Sequence, residues 1–229
     1  AGLPTVAVRC PAHPVALKLI ELSGTPIAAP SANLSGRPSP TRAEHVISDL
    51  WGLVDVIIDS GDTLYGVEST ILDVTRDPPV LLRPGAVILE AARGLLESDV
   101  ALSPGMKYRH YAPQKPLVLV ESDDYTEGSG YPGKVISIAK SLASGGRKVI
   151  VLASDEGAEL YRSSGLETMK LGPRSNLFEV ARPVFSALRM LDDTDVDVAV
   201  VEGFEERGLG LTIMNRLRKA SGHAVIHVR

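Results

Sequence analysis

Four short stretches of the chain carry side chains suited to binding a ligand. Pro30-Ser31-Ala32-Asn33-Leu34-Ser35-Gly36, with Thr41 beyond it, offers hydroxyls and an amide beside Gly36, Pro38 and Pro40. Such groups bind phosphate, carboxylate or hydroxyl groups without bringing charge, and Gly36 lets the backbone come close to a ligand. The same residues also suit a turn held by Ser and Asn hydrogen bonds to its own backbone. Gly66-Val67-Glu68-Ser69-Thr70 is a second such loop, equally readable as a β-turn with a polar strand start. Arg83-Pro84-Gly85 places an arginine just past a strand, and Arg9 closes the first strand. A guanidinium there pairs with phosphate or carboxylate through its fork of donors, or makes an ordinary surface ion pair.

Together Arg9, Ser31, Asn33, Ser69 and Arg83 fall near strand ends, where loops of open α/β sheets collect ligands. Cations and hydroxyls without a nucleophile suit an anionic ligand, so no catalytic side chain and no metal centre is assigned. The chain has no phosphate-binding Gly-Lys-Ser/Thr loop and no Gly-x-Gly-x-x-Gly fingerprint. Gly208-Leu209-Gly210-Leu211 reads as the start of a helix rather than a dinucleotide site. Asp62, Glu68 and Asp73 could hold Mg²⁺ around phosphates or be solvated turn carboxylates. His13, His45, His223 and His227 lack metal-ligand spacing; His110 stands apart between Arg109 and Tyr111. Cys10 reads as a small strand residue rather than a nucleophile.

The elements expected to position these residues are strands over 5–9, 26–29, 54–58, 69–74 and 80–82. His13-Pro14 opens a helix with Val15, Leu19 and Leu22 at helical spacing, stopped by Gly24. Thr41-Arg42-Ala43-Glu44 has capping-box spacing before Val46, Ile47 and Leu50. A short helix is expected over 87–96. Residues 98–115 read as a linker rich in Pro and Gly, basic through Lys107, Arg109, His110 and Lys115. A simpler rhythm follows. Strands are expected over 117–121, 148–153, 168–171, 198–201 and 224–228, and residues 135–144 as a strand leading into a helix. Helices are expected over 156–163 and 211–220. Another starts at Asn176, with Leu177, Val180, Ala181, Val184, Leu188 and Leu191 on one face and Pro183 interrupting it. Alternating strands and helices imply an α/β fold with a parallel sheet. The expected organisation is 1–97, a basic linker over 98–115, and a Rossmann-like domain over 116–229.

Composition narrows the classes. The 229 residues are 44% hydrophobic and 23% charged, which fits a globular protein with a real core. Aromatics at 4% make that core mostly aliphatic. No apolar run reaches membrane-spanning length, and the first nine residues lack a secretory leader's pattern. A single cysteine excludes an internal disulfide framework, and a cytoplasmic location is expected. The net charge of −4 argues against a dedicated nucleic-acid binder. The chain opens on Ala1, already close to a strand, so a fragment is expected.

Val8-Arg9-Cys10-Pro11 with His13-Pro14, then the Ser31 loop, Gly66-Val67-Glu68-Ser69-Thr70 and Leu82-Arg83-Pro84-Gly85, occur in that order. This resembles the second half of the YrdC-like domain of threonylcarbamoyl-AMP synthases. Ser103-Pro104-Gly105-Met106-Lys107-Tyr108-Arg109-His110-Tyr111-Ala112-Pro113 resembles the linker of the family's long members. Residues 208–220, with Met214-Asn215-Arg216-Leu217, resemble their C-terminal extension. The resemblance covers essentially the whole chain. It implies a partial YrdC-like twisted α/β sheet followed by a small Rossmann-like domain, and a nucleotidyl transfer. Threonine and bicarbonate form a carbamate that attacks the α-phosphate of ATP and releases pyrophosphate. The product serves N6-threonylcarbamoyladenosine formation in tRNA through a downstream transferase.

By that resemblance Ser31, Ser69 and Arg9 hold L-threonine, and Asn33, Thr41, Arg83 and Tyr111 hold ATP, with Mg²⁺ accompanying the ATP. Residues 107–111 fold over the site and exclude water from a labile adenylate. The family's front half, with its lysine- and arginine-containing nucleotide motif, is not in this chain. An incomplete first sheet with exposed edges and no catalysis by this chain alone are therefore expected. Two rivals are a carbamoyltransferase of hydrogenase maturation, against which the linker and second domain argue, and a non-catalytic RNA-binding or scaffolding module. A salt titration of tRNA binding separates the latter. The role of the second domain stays open between clamping the linker, binding a partner and setting oligomeric state.

Overall fold

A computed structural model describes residues 4–87, 112–126 and 128–229. Five parallel strands form the main sheet: β3 (Leu117–Ser122), β4 (Val149–Ser154), β5 (Glu167–Gly172), β6 (Val198–Glu202) and β7 (Val225–Val228), in the order β5-β4-β6-β3-β7. A smaller antiparallel pair, β1 (Ile71–Asp73) and β2 (Val80–Arg83), precedes it. Every residue of β4 and β6 is buried, as expected for central strands covered on both faces.

The two faces follow from the period of two along each strand. Leu117, Leu119, Ile150, Leu152, Ala199 and Val201 meet helices α5 (Leu177–Ala181), α6 (Val184–Asp192) and α7 (Leu209–Ala220). Val120, Val151, Ala153, Val198 and Val200 meet α3 (Tyr131–Ala143) and α4 (Asp155–Ser163). Residues 135–143 are thus helix, with Ser144 as its C-cap, not a strand leading into one. Tyr131, Val135 and Ala139 lie one turn apart on a single face, and burying that face outweighs the β-branched run Val135-Ile136. Asn176 caps α5 by accepting from the Phe178 amide. At Pro183, which lacks an amide hydrogen, the expected single helix divides into α5 and α6.

A buried polar cluster ties the strand ends together. Glu202 is 1% exposed. Its carboxylate accepts from the Ser154 amide (2.6 Å), the Tyr161 hydroxyl (2.7 Å) and Arg174 Nη2 (2.8 Å). Burial and the Glu202 charge push the Tyr161 phenol far above its ordinary range, so it stays a donor.

Residues before the linker bury much less. Helix α1 (Pro14–Ser23), stopped by Gly24 in the left-handed conformation, has no buried residue, and Val15, Leu19 and Leu22 are exposed. The strands expected over 5–9, 26–29 and 54–58 do not form, and the 69–74 strand shortens to Ile71–Asp73. Extended backbone becomes strand only where a neighbour takes up its N–H and C=O groups. Apart from prolines and glycines, the only described buried apolar residues ahead of the main sheet are Val67, Leu81 and Ala112.

Helix α2 (Ala43–Leu50) joins this region to the C-terminal unit. Its cap is Arg42 without a side-chain bond, so the Thr41 capping box does not form. Thr41 is committed elsewhere: its amide donates to His45 Nδ1 (3.1 Å), and its hydroxyl lies 3.2 Å from that of Ser186 on α6. Asp49, fully buried, takes both oxygens to Arg189 of α6 (3.2 and 2.8 Å) and pairs with Arg37. The expected 87–96 helix lies outside the described residues. Among the described residues no helix is long and apolar enough to cross a membrane.

Two outcomes follow from these networks. Tyr161→Phe removes a donor from a buried carboxylate and is expected to lower stability by about 1–3 kcal/mol, read from the urea midpoint. An unchanged midpoint would show that Ser154 and Arg174 suffice. The second concerns acid. Burial and the charges of Arg189 and Arg42 hold the His45 ring below its ordinary 6.5. The folded state therefore favours the neutral ring, and its contribution is complete above pH 6.5 and lost as the pH falls through the depressed value. Burial raises the Asp49 carboxyl, but hydrogen bonds from Arg189 and Arg37 outweigh it and hold it below 3.8, so its contribution survives to stronger acid. Melting temperature is expected to fall between neutral pH and about pH 5, and His45→Gln to flatten that slope.

Candidate substrate site

The β1–β2 register sets the centre of the site. Arg83, at the end of β2, pairs with Ile71, which places its side chain beside Ser69 just before β1. Arg83 Nε donates to the Ser69 carbonyl (2.9 Å) and Nη2 to the Ser69 hydroxyl (3.1 Å). Arg9 Nη2 reaches the same hydroxyl at 3.0 Å from a segment 60 residues away. Ser69 and Arg9 are exposed and Arg83 is half-buried. Two guanidinium groups at one exposed hydroxyl make a seat for an anionic ligand with a polar group of its own.

Glycine makes this closeness possible. A Cβ on Gly85 would lie 2.1 Å from Ser69 C and Thr70 N, inside any real contact. With hydrogen there instead, the Arg83 loop lies flat on the Ser69 loop. Ala86 donates to the Glu68 carbonyl (2.9 Å) and the Thr70 hydroxyl to the Val87 carbonyl (2.6 Å). Gly66 has the same role against the other unit, where a Cβ would meet the Arg182 carbonyl at 2.1 Å. Its amide donates to the Ala181 carbonyl (3.1 Å) and its carbonyl accepts from Phe185 (3.3 Å).

The Ser31 loop is held differently. Asn33 Nδ2 donates to the carbonyls of Leu34 (2.8 Å) and Arg37 (3.2 Å), so the self-bonded turn forms. Asn33 Oδ1 is buried and has no hydrogen-bond partner among the described residues. Ser31 is exposed. A cleft of about 400 Å³ opens beside this loop, lined by Ala32, Thr41, Val46, Val56, Ile58 and Ser60 among others. Arg9, Ser69 and Arg83 therefore form one hydrogen-bonded cluster, and Thr41 lines a cleft whose wall includes Ala32 but not Asn33. Tyr111 and the rest of 107–111 lie outside the described residues.

Three carboxylates read as possible Mg²⁺ ligands have other partners. Asp62 pairs with Arg42 (3.3 Å) and Asp73 with Arg76 (3.2 Å), and Glu68 meets Arg216 at 2.6 Å. Among the described residues no group of three or more His, Cys, Asp or Glu side chains is arranged to hold a metal.

Sequence reasoning missed what stands behind these loops. Arg216 is 0% exposed, and Glu68, whose side chain is 14% exposed, is its countercharge. Breaking such a pair costs roughly 3–5 kcal/mol. Thr212, one turn earlier on α7, donates to the Gly85 carbonyl (2.9 Å). Lys219, on the same helix, is half-buried. Burial and the charges of Arg216 and Arg83, against that of Glu68, lower its ammonium pKa. An arginine inside the apolar pattern of α7 was the one available signal.

Comparison with known proteins identifies the family. Residues 73–222 match the family described as threonylcarbamoyl-AMP synthase, C-terminal domain, and residues 1–85 one described as telomere recombination. The threonylcarbamoyl-AMP synthase of Pyrococcus abyssi is 48% identical over 99% of this chain and 67% of its own length. That of Bacillus subtilis is 47% identical over 99% and 66%, and that of Schizosaccharomyces pombe 41% over 96% and 58%. The crystal structure of P. abyssi Sua5 complexed with L-threonine superposes with a TM-score of 0.84 at 47% identity, over 100% of this chain and 67% of that one. The chain thus spans about two thirds of the length of the first two relatives and less of the third. Matched from end to end at 41% to 48% identity, the chain belongs to the threonylcarbamoyl-AMP synthase family.

Proposed function

We propose that the protein makes L-threonylcarbamoyladenylate from L-threonine, bicarbonate and ATP, releasing pyrophosphate, for N6-threonylcarbamoyladenosine formation in tRNA. The observation that carries this reading is the convergence of Arg9 and Arg83 on the Ser69 hydroxyl. Threonine offers a carboxylate for a guanidinium and a hydroxyl for a serine. In this reading Ser31, Ser69 and Arg9 hold threonine, and Asn33, Thr41, Arg83 and Tyr111 the nucleotide.

The chemistry asks little of a nucleophilic side chain. The threonine amine and bicarbonate give a carbamate and water. A carbamate oxygen then bonds to the α-phosphorus as the bond to pyrophosphate breaks. In-line attack of this kind needs positioning and neutralised charge, which arginines and hydroxyls supply. Mg²⁺ enters as part of the ATP substrate, held by its phosphates. In this reading the protein works in the cytoplasm alongside a downstream transferase and tRNA.

Pyrophosphate release from ATP, measured with the full-length protein, is expected only when L-threonine and bicarbonate are both present. Release indifferent to threonine overturns the reading. Arg9→Lys replaces a fork of donors by one nitrogen, and Ser69→Ala removes the shared hydroxyl. Each is expected to lower kcat/KM for threonine by roughly tenfold to a hundredfold. Equal activity in both variants would move threonine elsewhere.

A further inference from the structure

The sequence leaves the C-terminal unit without a role. Among the described residues it meets helix α2, Tyr65 and residues 114–115, and several of its contacts fall on the three loops that carry the ligand-binding residues. Helix α7 holds two of them. Arg216 pairs with Glu68, the residue before Ser69, and Thr212 donates to the carbonyl of Gly85, two residues after Arg83. Four residues apart, these side chains share one face of the helix. The α5–α6 junction holds Gly66 by two backbone hydrogen bonds. Helix α6 holds the third loop. Arg189 donates to the Pro38 carbonyl (2.6 Å) and grips Asp49, which in turn accepts from the Leu34 amide (3.2 Å).

We propose that Arg216 and Arg189 are positioning residues, through which the C-terminal unit fixes the Ser69, Arg83 and Asn33 loops in their substrate-holding geometry. This rests on the functional reading above. Arg216 is fully buried and Arg189 is 9% exposed. A charge so placed cannot lose its carboxylate without heavy desolvation cost, so each loop is confined to the position in which its carboxylate meets its arginine. Neither guanidinium is required to touch substrate. The arrangement separates exposed groups that bind from buried groups that set where the binding groups stand.

The test uses the full-length protein with L-threonine as the probe. Glu68→Gln keeps shape and a hydrogen-bond acceptor but removes the charge. Arg216→Gln removes the other charge, and the double variant lacks both charges of the pair. Each single substitution is expected to raise the threonine KM by about tenfold while kcat changes by less than about threefold. The double variant is expected to be no worse than the worse single one, because the two side chains act as one unit. Thr212→Val, which preserves shape but takes the donor from the Gly85 carbonyl, is expected to raise the threonine KM by about threefold while the folded protein melts only a few degrees lower. Asp49→Asn is expected to raise the KM for ATP more than that for threonine.

A purely structural contact would lower the melting temperature and the active fraction but leave both KM values unchanged. Unchanged threonine KM in folded Glu68→Gln and Thr212→Val overturns the inference, as does strict additivity of the two charge substitutions. The unsubstituted protein separates the two levels. Absence of threonine-dependent turnover there overturns the functional reading and the inference with it. Normal turnover there, with unaffected variants, overturns the inference alone.

Discussion

A guanidinium with no exposure to water has to meet a countercharge, and for Arg216 on α7 that countercharge is Glu68. Much of the geometry around the site depends on this pair. Glu68 is followed by Ser69, on whose hydroxyl Arg9 and Arg83 converge. Its carbonyl takes the Ala86 amide, so the Arg83 loop is drawn onto the same spot. The absence of a Cβ on Gly85 allows that approach, and Thr212 closes it from behind. Anion-binding groups need fixed donors more than strong ones, because donors already in place cost no ordering when the ligand arrives. Burying the countercharge in the other unit is one way to fix them.

The sequence made the exposed half of this arrangement legible and hid the other. Arg9, Ser69 and Arg83 stand out together, since each alone suits a surface ion pair or a turn but cations and hydroxyls gathered at strand ends suit an anionic ligand. Their supports do not stand out. Glu68 and Arg216 are 148 residues apart, Asp49 and Arg189 140, and Thr212 and Gly85 127. Nothing local links such pairs. Asp49 sits among Val46, Ile47 and Leu50 of α2, where an exposed carboxylate would look the same in sequence.

The fold divides in a similar way. The C-terminal sheet was readable because each strand and helix is complete in itself and its apolar period reports the face it buries. Residues 135–144 failed because β-branched residues imitate a strand until the buried Tyr131, Val135 and Ala139 are seen to share a helical face. Residues 5–9, 26–29 and 54–58 failed for another reason. A strand is a relation between two segments, and apolar residues such as Val6, Val8, Val56 and Ile58 remain exposed here. Local pattern identifies a segment fit to be a strand and says nothing about whether its neighbour is present.

The main sheet itself explains why its unit suits a supporting role. The chain leaves β4 through α4 on one face and adjacent β6 through α7 on the other. In open parallel sheets the crevice at such a reversal is where ligands bind. Here the protein fills it with its own side chain. Arg174 reaches over from beyond β5 to Glu202 and the Gly203 carbonyl (3.0 Å), its guanidinium 4.7 Å from the Phe204 ring centre and 5.1 Å from that of Tyr125. A crevice closed by an ion pair and stacked rings makes the strand ends rigid. Helices α6 and α7 are anchored to that rigid sheet, and their opposite faces carry Arg189, Thr212 and Arg216 to the loops. The fold's usual ligand position is thus given to stiffness, and binding passes to loops that the sheet holds from behind.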